Sequence, residues 1–294
     1  MSGLLLTVLN GISQGVLLFL VASGLSLIFG VMGVLNFAHG GFFALGAFLI
    51  YSLTAGAAVP APQYLVLVIV ASLGVGLLGM IVEAVVFRRI YHLEPIDALL
   101  ATYAVLLTIQ GGITQVWGVN PLGQPMPPGF QSAMTVAGAT LPIYDFVLLI
   151  IGAIVVVGVW WLLQRTTLGR SVRAIAADRT MSASLGIDTR RVFTLMFGLG
   201  AALAGLGGAL IAPLVQIDTS LAATFVIQSF AVVIVGGLGN MYGALVAAIL
   251  LGLLNSVLVG IDPSYSDFSL YLGMAAILLV RPQGLFGVVA GERR

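Results

Sequence analysis

Cysteine is absent from all 294 residues, and so is lysine. Without cysteine there are no disulfides, no thiolate nucleophile and no cysteine-ligated metal. Without lysine there is no Gly-x-x-x-x-Gly-Lys-Ser/Thr loop, so any ATP-driven step needs another chain. Charge of either sign is scarce: 11 Arg and 10 Asp or Glu make up 7% of the residues, against about 25% in a soluble globular protein. So few charges cannot cover a water-facing surface of this size. A net charge of +1 offers no basic field for nucleic acid. Only two histidines occur, His39 and His92, and the few acids are scattered near the ends of apolar runs. No His-Glu-x-x-His pattern or paired-aspartate motif is present, which argues against a membrane enzyme, a cofactor or a metal site.

Apolar residues make up 60% of the chain, and the mean hydropathy is +1.18. The apolar runs are continuous rather than alternating, which favours membrane helices over a barrel. A helix crosses the hydrocarbon core with about 20 apolar residues. Candidate spans are 12–35, 40–59, 63–87, 97–117, 143–164, 192–213, 221–237, 241–260 and 267–280. The fold class expected is an all-α polytopic membrane protein forming a single domain over 1–294. It has nine spans, or eight if one short segment is re-entrant. No basic residue precedes the first apolar run, so that segment is expected to be retained rather than cleaved as a signal peptide.

The arginines test this map. Arg88 and Arg89 follow the third span, six more lie between Arg165 and Arg191, and Arg281, Arg293 and Arg294 follow the last. An even number of spans separates these segments, so all three face one side, which the positive-inside rule makes cytoplasmic. The opposite loops, 118–142, 214–220 and 261–266, contain no Arg. Nine spans then place the N-terminus outside. The 118–142 loop holds Pro121, Pro125, Pro127 and Pro128, and Met134–Leu141 reads as a hairpin around Ala137-Gly138. It is either a connector or a docking surface for an external partner.

Within the cytoplasmic loop 165–191, the stretch Arg170–Leu185 reads as one short helix, with Val172, Ile175, Ala176 and Ala183 on a common face. Gly186 suits the C′ position and Asp188 the N-cap of the next helix. Such a helix fits a groove on a cytoplasmic partner, and fits equally a loop held by lipid head groups. Asn36, His39 and Gly40 lie in Gly33–Gly41, which the span map makes a cytoplasmic turn. Polar residues beside glycines at a break between spans also mark a hinge or a translocation pathway. Gly236-Gly-Leu-Gly-Asn240 is a second break of similar composition, with Gly237, Gly239 and Asn240 as its candidates and a faint internal repeat as one explanation. Glu83 reads as a structural partner of Arg88 at helical spacing, Asp97 as the N-cap of the fourth span and His92 as a solvated loop residue. Gly200, Ala204 and Gly208, four residues apart, read as a helix-packing face.

Three stretches carry a family resemblance: Gly24–Gly41 with its Asn-Phe-Ala-His-Gly string, Ala177–Ile187 followed by the small-residue run Gly198–Leu210, and Leu279–Gly287. Together they closely resemble the H-type permeases of branched-chain amino acid ABC transporters, over essentially the whole chain. The chain departs from that pattern at Thr180-Met181-Ser182 and at Gly41. The resemblance implies a bacterial cytoplasmic-membrane permease for branched-chain amino acids or similar small solutes, working by alternating access. It implies a second permease subunit, two cytoplasmic ATPase subunits and an extracytoplasmic solute-binding protein as partners, with lipid around them. It also implies that the region of Arg170, Arg173, Ala177, Asp178, Arg179 and Gly186 couples to the ATPase.

Overall fold

The computed structural model describes residues 2–90, 94–136 and 139–287, so His92, the Ala137-Gly138 tip, Arg293 and Arg294 lie outside the described residues. Along the chain run α1 (Ser2–Met32), α2 (Ala38–Leu53), α3 (Ala61–Val85), a 3-10 turn (Phe87–Arg89), α4 (Pro95–Trp117), β1 (Leu122–Gly123), β2 (Ala133–Val136), β3 (Ala139–Pro142) and α5 (Ile143–Arg165). There follow α6 (Thr167–Ala177), α7 (Arg179–Ser184), α8 (Thr189–Ile211), β4 (Gln216–Ile217), α9 (Ser220–Gly236), α10 (Met241–Ile261), a second 3-10 turn (Pro263–Tyr265) and α11 (Ser266–Val280). Among the described residues, α1, α3, α4, α5, α8 and α10 are long and apolar enough to cross a membrane, while α2, α9 and α11 are apolar but shorter. The 16 residues of α2 rise about 24 Å, less than the roughly 30 Å of a hydrocarbon core.

Each of the nine expected segments is a helix, with shifted ends. α1 begins at Ser2 rather than 12, and α2 stops at Leu53 rather than 59. Thr54 N–H still donates to the Ile50 carbonyl (3.0 Å), and Ala55 and Gly56 then take positive φ and end the helix. α4 starts at Pro95 with Glu94 as the N-cap, so Asp97 sits in the first turn and is not the cap. Proline is pre-set for the first helical position, and that shifts the boundary.

α1 and α8 form the centre. α1 packs on α10, α8 and α9, and α8 packs on α3, α2 and α1. Small residues permit this. A methyl at Gly200 would lie 2.8 Å from the Gly24 carbonyl oxygen, and one at Gly208 would collide with the Phe43 carbonyl. Ala204 between them is fully buried, so the expected packing face is used along its length. Two buried tyrosines satisfy their hydroxyls on the same helix: Tyr64 donates to Ala209 (2.8 Å) and Tyr144 to Leu210 (2.6 Å).

The two ends of the bundle differ in charge as the Arg map requires. At one end the Arg-free connections meet: Trp117 Nε1 donates to Ser52 Oγ (2.7 Å), Thr54 Oγ1 donates to Gln124 Oε1 (2.7 Å), and β1 pairs antiparallel with β4. β2 and β3 pair antiparallel within the same loop. At the other end Arg88 reaches Thr194 Oγ1 (2.9 Å), Arg173 donates to the Leu163 carbonyl, and Gln283 shares a cleft with Phe29 and Leu163.

Candidate functional site

The Arg-rich elbow is built by local turn chemistry. Thr166 caps α6, its Oγ1 accepting from Gly169 N–H (3.1 Å), and Val172 and Ile175 bury against the bundle. The single helix expected over Arg170–Leu185 is in fact two. Asp178 adopts extended backbone (φ −155°, ψ 108°), and its carboxylate accepts from Met181 N–H (2.9 Å), so it ends α6 and caps α7. An aspartate gains more from capping than from a helix interior. Ala176 and Ala183 are both exposed, off the face expected for them. Gly186 has φ +84°. Its N–H donates to Ala183 O and that of Ile187 to Ser182 O, both 3.1 Å, the paired bonds of a Schellman end. Asp188 caps α8 by accepting from Arg191 N–H (3.0 Å). Arg170, Arg173, Ala177 and Arg179 are all exposed here, with the Arg179 guanidinium 4.8 Å from the centre of the Phe193 ring. Met181 and Leu185 project from the elbow, 58% and 75% exposed.

The first break is not the surface turn the span map implied. Asn36 and His39 are buried, and His39 Nε2 donates to the Val21 carbonyl on α1 (2.8 Å), beside Gly24 and opposite Gly200 near the middle of α8. The chain leaves α1 at Gly33 (φ +68°) and turns back into the bundle before α2 starts. The first amides of α2 are all engaged. Phe37 N–H donates to Thr102 Oγ1 (3.1 Å), Ala38 N–H to Asn36 Oδ1 (3.0 Å), and His39 and Gly40 to the Asn36 and Phe37 carbonyls. The void beside Asn36 and Thr102 holds about 10 Å³, room for one water at most. A methyl at Gly40 would collide with the Ala222 carbonyl, so α2 and α9 are locked together at that level.

The second break lies at the Arg-rich end and has a different character. Gly237 (φ +101°) and Gly239 (φ +76°) carry the chain round, and Asn240 caps α10 by accepting from Gly243 N–H (3.0 Å). The 281–287 segment folds onto this turn. Leu285 N–H donates to Val235 O (2.7 Å) and Phe286 N–H to Gly236 O (3.1 Å). Two of the motifs read separately in the sequence thus form one clip, and its open flank makes the first and second breaks unlike in burial. Glu83, fully buried, pairs with Arg88 (3.4 Å) and accepts from Thr194 Oγ1 (2.6 Å). The pair spans a helix end, since α3 stops at Val85 and a 3-10 turn follows, so it does not use helical spacing.

A further feature left no trace in the sequence. A cleft of about 320 Å³ opens between α1, α9, α10 and α11, with Gln14, Gln228 and Asn255 on its wall beside Leu18, Phe225 and Leu251. Single amides in apolar runs stand out only when the helices that carry them are known to meet. Among the described residues no three His, Asp or Glu side chains cluster to hold a metal.

Comparison with known proteins follows the same lines. The family described as branched-chain amino acid transport system / permease component matches residues 7–280. The chain is 24% identical over 294 residues to the high-affinity branched-chain amino acid transport system permease protein LivH of Escherichia coli K12, covering 95% of this chain and 94% of that one. It is 26% identical over 280 residues to LivM of the same organism, covering 89% of this chain and 66% of LivM. It is 25% identical over 289 residues to the ribose import permease protein RbsC of Haemophilus influenzae, covering 93% and 82%. No solved structure matches.

Proposed function

Because the chain belongs to the branched-chain amino acid transport system permease family, we propose that it is one permease subunit of an ATP-driven importer in a bacterial cytoplasmic membrane. It pairs with a second permease, rests on two cytoplasmic ATPases and receives branched-chain amino acids from an extracytoplasmic binding protein. The observation that carries this reading is the elbow α6–α7, which is exposed, capped at both turns and joined without slack to α8. A push on Met181 and Leu185 passes through Gly186 and Asp188 into α8. α8 packs on α1, α2 and α3 and so moves them with it. That is the linkage alternating access needs: one bistable bundle biased from a single surface.

The test is co-purification of the tagged chain from its native membrane. Two ATPases and a second permease among the bound proteins are the expected result. Recovery of the chain alone, under conditions that keep a known complex intact, would overturn the reading in favour of a stand-alone carrier or channel. The likeness to a ribose import permease gives cargo a second candidate, and competition between leucine and ribose for ATP-dependent uptake sorts the two.

A further inference from the structure

Two amides in this bundle lack what a bilayer demands. Gln228 is the middle residue of the 17-residue α9. Gln14 adjoins Gly15, where α1 touches Ile249 close to the centre of α10. The middle of α9 is about 12 Å from either helix end, so Gln228 lies at hydrocarbon depth. There an amide without a hydrogen-bond partner is strongly disfavoured. Ser229 and Asn255 nearby obey this rule. Ser229 donates to the Phe225 carbonyl (2.6 Å), and Asn255 donates to Ser266 O (3.1 Å) and to Ser269 Oγ. Among the described residues Gln14 and Gln228 have no such partner, yet both face the same cleft.

The chemistry of the wall narrows what fills it. Among the described residues no Asp, Glu, Arg or His lines the cleft, so an ion of one sign would find no counter-charge there. Neutral amides offer N–H₂ donors to a carboxylate and carbonyl acceptors to an ammonium, while Leu17, Leu18 and Leu251, with the Phe225 ring, present an apolar surface. We propose that this cleft is a half-site for an aliphatic amino acid zwitterion in transit, closed by the second permease subunit. The proposal rests on the importer reading above.

The absence of cysteine makes the test clean, because Gln228→Cys or Gln14→Cys supplies the sole thiol of this subunit. Membrane vesicles holding the whole transporter are treated with a charged methanethiosulfonate, which attacks thiolates in water and does not dissolve in lipid. Both positions should label. Leucine, delivered by its binding protein at ten times the half-saturating concentration measured for uptake by each Cys variant, should slow labelling about tenfold, as single-site occupancy requires. Ribose should not. Two results overturn the half-site: neither cysteine labels while Val119→Cys on the exposed outer loop does, or labelling ignores leucine. Leucine uptake by the unaltered transporter separates the failures. A transporter that carries leucine without protecting either thiol sinks the half-site alone, and one that carries none sinks the importer reading and the proposed ligand with it.

Discussion

Gly186 is held by backbone geometry alone, since no atom lies within 4 Å of where a side chain would begin and φ is +84°. Gly186→Ala therefore adds no clash and isolates the left-handed penalty, about 1–2 kcal/mol. Gly186→Asn should cost less, because asparagine tolerates this region. Thermal unfolding of the purified protein should rank glycine, asparagine, alanine in falling order. Equal midpoints for all three would show that the turn can be remade another way. Gly186 and Asp188 were legible because turn chemistry is local: a glycine then an aspartate between two helical stretches has few other uses. Asp178 was not, because Arg170–Leu185 also suits an unbroken helix, and the choice depended on whether its carboxylate would cap Met181.

α2 shows what a span map misses. Hydropathy reports how long an apolar run is, and says nothing of where the chain turns back. Asn36 and His39 were picked out by residue type, but their depth follows from Gly33 returning the chain and from Thr102 on α4 receiving Phe37 N–H. Thr102→Val keeps the side chain's shape and removes that acceptor. It should cost about 1–3 kcal/mol, as expected for a buried donor left unpaired, with amides at the start of α2 exchanging faster with solvent. Unchanged exchange there would mean that Asn36 alone suffices to cap the helix.

At the scale of the whole molecule, the grouping of the arginines was the most legible property. Six of eleven fall in one loop, and the bundle places the described Arg-bearing connections at one end. Illegible was any association between distant segments, above all the clip of 281–287 on the α9–α10 turn and the convergence of Gln14 and Gln228 on one cleft. Ending the chain after Val280 removes the partners of the Val235 and Gly236 carbonyls. Hydrogen exchange should then rise at Gly237, Asn240 and Gly243, whose protection depends on that turn, and stay unchanged along the α3–α8 seam. A uniform rise across the bundle would instead mark the clip as necessary to the entire fold.

The clip also imposes an order on biosynthesis. The turn after α9 leaves the ribosome first, α10 and α11 follow, and only then does the segment carrying Leu285 and Phe286 emerge. The membrane must therefore accept α9 and α10 with their shared turn still unfastened, and the Arg-rich end of the bundle closes last.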